Sequence, residues 1–363
     1  MKIIVLGTRG IPDILGGVET HCQELYPRIV DKGHQVTLIT RTPYVIDKGI
    51  TQYKGVKLKH IYAPKIKSLE AVIHTFLGVL YAGIKRPDIL HIHAIGPMIM
   101  TPFAKLLGLK VIVTNHGPDY DRKKWGKLAK KVLKTGERLG TKFADEVIVI
   151  SEVIRTIIKN KYNREDTHLI YNGVNLPTIA TEDNYITKLG LNKNKYIIGV
   201  GRFVEEKGFL DLIEAYSQID TNVKLVLVGD ADHETNHSKL LKEKAIKAGV
   251  ILTGFIKGGE LNQIFSHALL FCMPSYHEGL PIALLEAMSY NLNVLVSDIP
   301  ANLEVKLAKQ DYFKVGNIDE LQKKLQLKIN TNQTPDFNKK IKNLYNWDII
   351  AEQFLKMAIS VIS

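Results

Sequence analysis

Cysteine is scarce: the 363-residue chain has two, Cys22 and Cys272. They make no disulfide framework, and their neighbours show no metal-ligand spacing. A reducing, cytoplasmic compartment is the natural expectation. Long apolar runs are also lacking. The longest, Ala71 to Ile84, contains His74 and is too short to span a bilayer. The opening Met1-Lys2-Ile3-Ile4-Val5-Leu6-Gly7 has too short an apolar run for a signal peptide and no cleavage site, so it reads as a buried strand. No internal repeat or low-complexity segment appears. The chain is 45% hydrophobic and 24% charged, a balance typical of a soluble folded protein.

Acidic residues are in short supply only in the first half. Residues 1–175 carry 28 Lys and Arg against 15 Asp and Glu, a net of +13, whereas the remainder carries 21 against 22. A basic half joined to a neutral one suggests that the first half alone faces something anionic: lipid, a phosphate-bearing acceptor or nucleic acid.

Short apolar strands alternate with helical patterns almost throughout. The pattern predicts strands at 3–7, 35–40, 57–61, 89–93, 111–115, 146–151 and 168–171. After a gap it predicts more at 196–201, 224–229, 250–253, 269–273 and 293–297. Wholly apolar strands alternating with helices imply parallel sheets covered on both faces. Two runs of strands imply two doubly wound α/β domains. The expected division is 1–175, a polar linker over 176–195 and a second domain over 196–343. A final amphipathic helix spans 347–363.

The richest segment follows the strand that ends at Met273. Glu278-Gly279-Leu280-Pro281 leads into an apolar helix that carries Glu286. Gly279 permits close backbone approach, and helix-start amides attract phosphate. Two carboxylates beside an anion site suit a ligand with both hydroxyls and phosphate. In the run 199–208, Arg202 and Lys207 follow the first strand of the second domain. There they can aim at the crevice beyond a strand's carboxyl end and stabilise a departing diphosphate.

In the first domain, Gly16 and Gly17 precede a helix and offer backbone to phosphate or sugar. The preceding Gly7-Thr8-Arg9-Gly10 lacks the spacing of a dinucleotide fingerprint. His116 in Asn115-His116-Gly117 sits at a strand's carboxyl end, with Asp119 and Asp121 as possible acceptor contacts. Residues 121–143 hold nine Lys and Arg against two acids, with Trp125, Leu128, Val132, Leu139 and Phe143 along one stripe. That helix suits an anionic membrane surface, as does the segment Lys65 to Lys85. It has no interleaved aromatic stacking platform for nucleic acid. Asp230-Ala231-Asp232 has the spacing of a metal-holding motif but reads as a loop, and His91 and His93 read as interior or crevice-wall residues.

Taken together, the Glu278…Glu286 pair, the Gly-Arg-x4-Lys-Gly run at 201–208, the Gly16-Gly17 loop, Asn115-His116-Gly117 and Tyr171-Asn172-Gly173-Val174-Asn175 resemble glycosyltransferase family 4. The opening Gly-Thr-Arg-Gly-Ile-Pro…Gly-Gly-x-Glu-Thr is similar to bacterial rhamnosyltransferase-like members that build capsule, O-antigen or exopolysaccharide. The resemblance implies a GT-B fold, two Rossmann-like domains facing across a cleft, and a retaining transfer from a nucleotide diphosphate sugar. It implies that Arg202 and Lys207 bind the diphosphate, Glu286 the ribose, and Glu278 the transferred sugar. Backbone of Gly279 and Leu280 would meet sugar or phosphate, Phe255 and Ile256 would read the base, His116 would contact the sugar, and Gly16 and Gly17 the phosphate. No metal or other cofactor would be required. The expected acceptor is a sugar on a polyprenyl diphosphate at the inner face of the cytoplasmic membrane. Two features depart from the usual family pattern: Asn175 replaces the common Asp, and Gly-Leu-Pro follows Glu278 in place of Gly-Phe-Gly. Rival expectations are a sugar-nucleotide 2-epimerase on the same fold and a non-catalytic basic membrane-binding module.

Overall fold

The computed structural model describes residues 1–363 except Leu15, Ile46, Lys48, 65–69, 122–125, Asp232, 332–334 and Ser363. The chain forms two compact units, Met1–Gly173 with Trp347–Ser363, and Val174–Asn346.

The first unit is built on an eight-stranded sheet. Its strands are β1 (Lys2–Leu6), β2 (Gln35–Arg41), β3 (Gln52–Tyr53), β4 (Val56–Ile61), β5 (Ile89–His93), β6 (Val111–Asn115), β7 (Glu146–Val149) and β8 (Thr167–Leu169). Their spatial order is β3-β4-β2-β1-β5-β6-β7-β8, parallel except for β3. Strands β1, β5 and β6 are buried on both faces because helices cover both sides.

The second unit has a six-stranded parallel sheet in the order β11-β10-β9-β12-β13-β14. Its strands are β9 (Tyr196–Val200), β10 (Lys224–Val228), β11 (Ile251–Gly254), β12 (Leu270–Met273), β13 (Asn293–Ser297) and β14 (Tyr312–Phe313). Both sheets are doubly wound, as the alternation of strands and helices predicts. The two-residue strands β3 and β14 were absent from that expectation, being too short to show a period. The segment 176–195 belongs to the second unit and contains a helix, Asn184–Lys188.

The last helix, Trp347–Ile362, returns to the first unit and packs on the Gly17–Asp31 helix. Ion pairs Arg28–Asp348 (3.0 Å) and Lys32–Glu352 (3.1 Å) flank that contact. Both are exposed, so burial of Trp347, Ile350, Phe354 and Ala358 supplies most of the attachment. Phe354 stacks on His91 with ring centroids 5.1 Å apart. The chain's end thereby backs the strands whose carboxyl ends carry the histidines.

Candidate active site

In the second unit the winding reverses between β9 and β12. Successive strands lead outward from β9 through β10 to β11, and from β12 through β13 to β14. Loops leaving β9 and β12 therefore diverge, and the carboxyl ends of those strands frame a crevice. Gly208 closes the first loop at φ +65°, where a Cβ would stand 2.2 Å from the Pro274 carbonyl oxygen. Tyr276 N–H donates to the Glu206 carbonyl (2.8 Å), tying the two loops together.

Across this seam Lys207 Nζ meets Glu278 Oε1 at 2.7 Å, and Ser275 Oγ donates to the same oxygen at 2.7 Å. The Lys207 and Glu278 side chains keep 19% and 12% of their exposure, enough to meet a ligand. Arg202 lies at the start of the loop, partly buried. The apolar helix expected after Pro281 begins at Ile282, with Pro281 as its cap. Gly279 and Leu280 bend into the helix, and among the described residues their amides have no protein acceptor. Glu286, on the helix, is half-buried, its carboxylate has no hydrogen bond or ion pair among the described residues, and burial raises its pKa to about 7. Phe255 and Ile256 follow β11, on the same carboxyl edge but two strands out from β9. Asp230 is paired with Lys242 (2.7 Å), and Asp232 lies outside the described residues. Among the described residues no group of His, Cys, Asp and Glu is arranged to hold a metal.

The first unit reverses its winding between β1 and β5. Gly7 leaves β1 at φ +102°, and a Cβ there would sit 2.0 Å from the His93 carbonyl oxygen. The Gly17–Asp31 helix begins right after Gly16. Its Glu19 accepts from Arg9 N–H (3.0 Å), Arg9 Nε (3.2 Å) and Thr8 Oγ1 (3.3 Å). The backbone at Gly16 and Gly17 is thus fixed against a buried carboxylate. Neither Glu19 nor Arg9 was among the residues expected at the site.

His116 follows β6 and is partly exposed. Its Nε2 lies 2.9 Å from His93 Nδ1. Tyr26 OH bridges His93 Nε2 (2.5 Å) and His91 Nδ1 (2.8 Å), and His91 Nε2 meets Thr114 Oγ1 at 2.7 Å. His21 Nδ1 meets Asn172 Oδ1 at 2.6 Å, with its ring edge-on to His116. Burial, then repulsion among neighbouring imidazoles, holds His91, His93 and His116 well below the ordinary histidine range; burial lowers His21 to about 4. All four rings are neutral at pH 7. His91 and His93 are interior residues, fully buried.

Asp119 and Asp121 lie in a short turn beyond His116. The turn is anchored by Glu137, a residue that sequence reading counts only as one of two acids on a basic helix. Glu137 is buried, and its carboxylate accepts from Asn115 Nδ2 (3.1 Å), Tyr120 OH (3.0 Å) and Tyr162 OH (2.8 Å). Asn115 Oδ1 in turn accepts from Gly117 N–H (2.9 Å). A lone acid on the buried side of an otherwise basic helix was the available signal.

Residues 15–177 match the model of Glycosyltransferase Family 4, and residues 181–344 match that of glycosyl transferases group 1. The chain is a family 4 glycosyltransferase. An uncharacterized glycosyltransferase of Methanocaldococcus jannaschii is 25% identical over 331 residues, covering 84% of this chain and 82% of the relative. CapH of Staphylococcus aureus, a capsular polysaccharide biosynthesis glycosyltransferase, is 26% identical over 250 residues, 65% of each chain. The solved structure of Anabaena HepE in complex with UDP and glucose has a TM-score of 0.82 at 19% identity, covering 99% of this chain and all of that one. The family 4 glycosyltransferase thus has the two-domain GT-B architecture that the motifs imply.

Proposed function

We propose that this glycosyltransferase moves a hexosyl or deoxyhexosyl group from a nucleotide diphosphate sugar to a hydroxyl of a lipid-linked oligosaccharide, with retention of configuration. The observation that carries the reading is the Lys207–Glu278 pair, which stands at the switch point beside the free amides of Gly279 and Leu280. Arg202, Lys207 and those amides receive the diphosphate. Glu286, whose carboxylate has no protein partner among the described residues, accepts from the ribose hydroxyls, and Phe255 and Ile256 border the base. In the second unit Glu278 serves the sugar; in the first unit His116 serves the sugar, Gly16 and Gly17 the phosphate, and Asp119 the acceptor. The bond from the sugar's anomeric carbon to the diphosphate oxygen breaks as the acceptor oxygen bonds to the same face. The acceptor proton passes to the departing diphosphate. Positive charge from Arg202 and Lys207 stabilises that leaving group, so the reaction needs no metal.

Calorimetric titration with UDP-, GDP-, dTDP-, CMP- and ADP-sugars in EDTA tests this. One nucleotide binds, and Arg202→Ala and Glu286→Ala each weaken it at least tenfold. Uniform absence of binding would overturn the assignment.

The acceptor side rests on the basic helix, Lys127–Phe143. Lys127, Lys130, Lys131, Lys134, Arg138 and Lys142 have no ion-pair partner among the described residues, and Leu128 and Phe143 are exposed. Trp125 and residues 65–69 lie outside the described residues. Lysines beside exposed apolar side chains suit the anionic inner leaflet, where a polyprenyl diphosphate acceptor for capsule or O-antigen synthesis would be found. No helix among the described residues is long and apolar enough to cross a membrane. Vesicles containing phosphatidylglycerol should float the protein, whereas phosphatidylcholine alone should not. Equal flotation on both would sink the electrostatic part of this proposal.

A further inference from the structure

The hydrogen bonds beneath His116 form one continuous chain: Thr114 Oγ1, His91, Tyr26 OH, His93, His116. Each ring is neutral, so each imidazole has one N–H and one bare nitrogen. A hydroxyl can accept twice, but Tyr26 is buried and its hydroxyl meets only these two rings among the described residues, so accepting from both would strand its own proton. With that proton used, every link runs in the same direction, and the chain has two self-consistent arrangements of protons. In one, Thr114 donates to His91, His91 to Tyr26, Tyr26 to His93 and His93 to His116. In the other, every link is reversed.

Thr114 decides between them. It is buried, and its hydroxyl has no partner other than His91 among the described residues. Were His91 the donor, the Thr114 hydroxyl proton would have no acceptor in a dry site, an uncompensated loss for a buried group. With Thr114 donating, both hydroxyl protons and the Nδ1 protons of His91 and His93 are used. His93 Nδ1–H then donates to His116 Nε2, and the single proton of His116 resides on Nδ1.

We infer that Thr114, His91, Tyr26 and His93 are positioning residues that lock His116 as the Nδ1–H tautomer, so that it offers substrate a neutral hydrogen-bond donor and not a base. This deepens the proposed role of His116 and rests on that reading only for its effect on turnover. A donor fixed at this point suits a sugar hydroxyl or ring oxygen and also the developing charge on a leaving oxygen. It leaves proton uptake from the acceptor to the diphosphate.

Nitrogen-15 spectra of the histidine rings in the full-length protein test the chain without any assay. In the wild type at pH 7, His91, His93 and His116 should each show a protonated Nδ1 and a bare Nε2. A protonated Nε2 on His116 would overturn the proposal. Tyr26→Phe removes one hydroxyl without changing shape and should make the His116 tautomer a mixture. Thr114→Val should do the same from the far end of the chain, and it keeps the test alive if the Tyr26 variant folds poorly. An unchanged His116 signal in both folded variants would refute the claim that the chain sets its tautomer. In turnover, Tyr26→Phe should lower kcat about tenfold with donor KM changed less than about twofold. His116→Ala should abolish any further effect of Tyr26→Phe in the double variant. A fully active His116→Ala enzyme would fault the role given to His116, with the spectra still deciding the chain.

Discussion

The two switch points of this molecule share a topology and differ in electrostatics. At β9/β12, a lysine and a glutamate meet at 2.7 Å within reach of solvent, and on the next helix a second glutamate's carboxylate has no partner among the described residues. At β1/β5 and the neighbouring β6 end, four neutral imidazoles and a tyrosine fill the corner, and the buried charges, Glu19 and Glu137, are turned to backbone and side-chain donors. Each corner depends on one glycine in left-handed conformation, Gly208 or Gly7, pressed against a carbonyl of the adjacent strand's end. The same backbone solution therefore carries opposite chemistry. Fixed charge suits a diphosphate that must gain charge as it leaves. Directed neutral hydrogen bonds suit a sugar, whose hydroxyls are told apart by geometry.

The comparison breaks most sharply at Lys207. Lys207→Met removes the cation and leaves Glu278 with Ser275 as its remaining partner in the seam. Turnover should fall by about a hundredfold or more, the scale of losing one group that stabilises charge in a transition state. Steady-state kinetics with saturating donor check this, and a loss below about threefold would remove Lys207 from the charged corner's chemistry.

A smaller effect separates the corners by pH. Glu286 has a folded pKa of about 7, raised by burial from 4.5, whereas burial holds His93 and His116 low. A raised folded pKa means the native state holds an extra proton between those values. Its contribution to stability is fully present below pH 4.5 and is lost as pH rises through about 7. Donor affinity should move the other way, because the ionised carboxylate is the better acceptor: each unit below about pH 7 should cost up to about tenfold. Isothermal titration between pH 5.5 and 8 should show that slope in the wild type and in His116→Gln, and none in Glu286→Gln. A slope that disappears with His116 instead would place the titrating group in the histidine corner and overturn the assignment to Glu286.

Much of the site was legible as separate pieces. Arg202, Lys207, Glu278 and Glu286 stand out in sequence because glycine-rich turns follow apolar strands there, and parallel sheets bring such turns to one edge. That Lys207 pairs with Glu278 was not legible, because the two are 71 residues apart and meet only through the β9–β12 neighbour relation. Glu137 was hidden for a different reason. On a helix with so many lysines an acid reads as a solvated charge, and only the packing against Tyr120, Tyr162 and Asn115 turns it into an anchor. The helix start at Ile282 was legible because Gly279 and Pro281 mark the boundary just before an apolar run.

Sequence alone determined the alternation of buried strands and helices, the two-domain plan and the family, since these are written in local periodicity and in motifs of consecutive residues. Tertiary structure decided which groups share a proton. Hydrogen-bond direction depends on partners from different strands held in register: Thr114 bonded to His91, Tyr26 between His91 and His93, and His93 against His116. No local pattern specifies those meetings. They follow from the order of β1, β5 and β6 in the sheet, where Thr114 lies in register with His93 and its hydroxyl reaches across to His91, and from the helices that seal them from water.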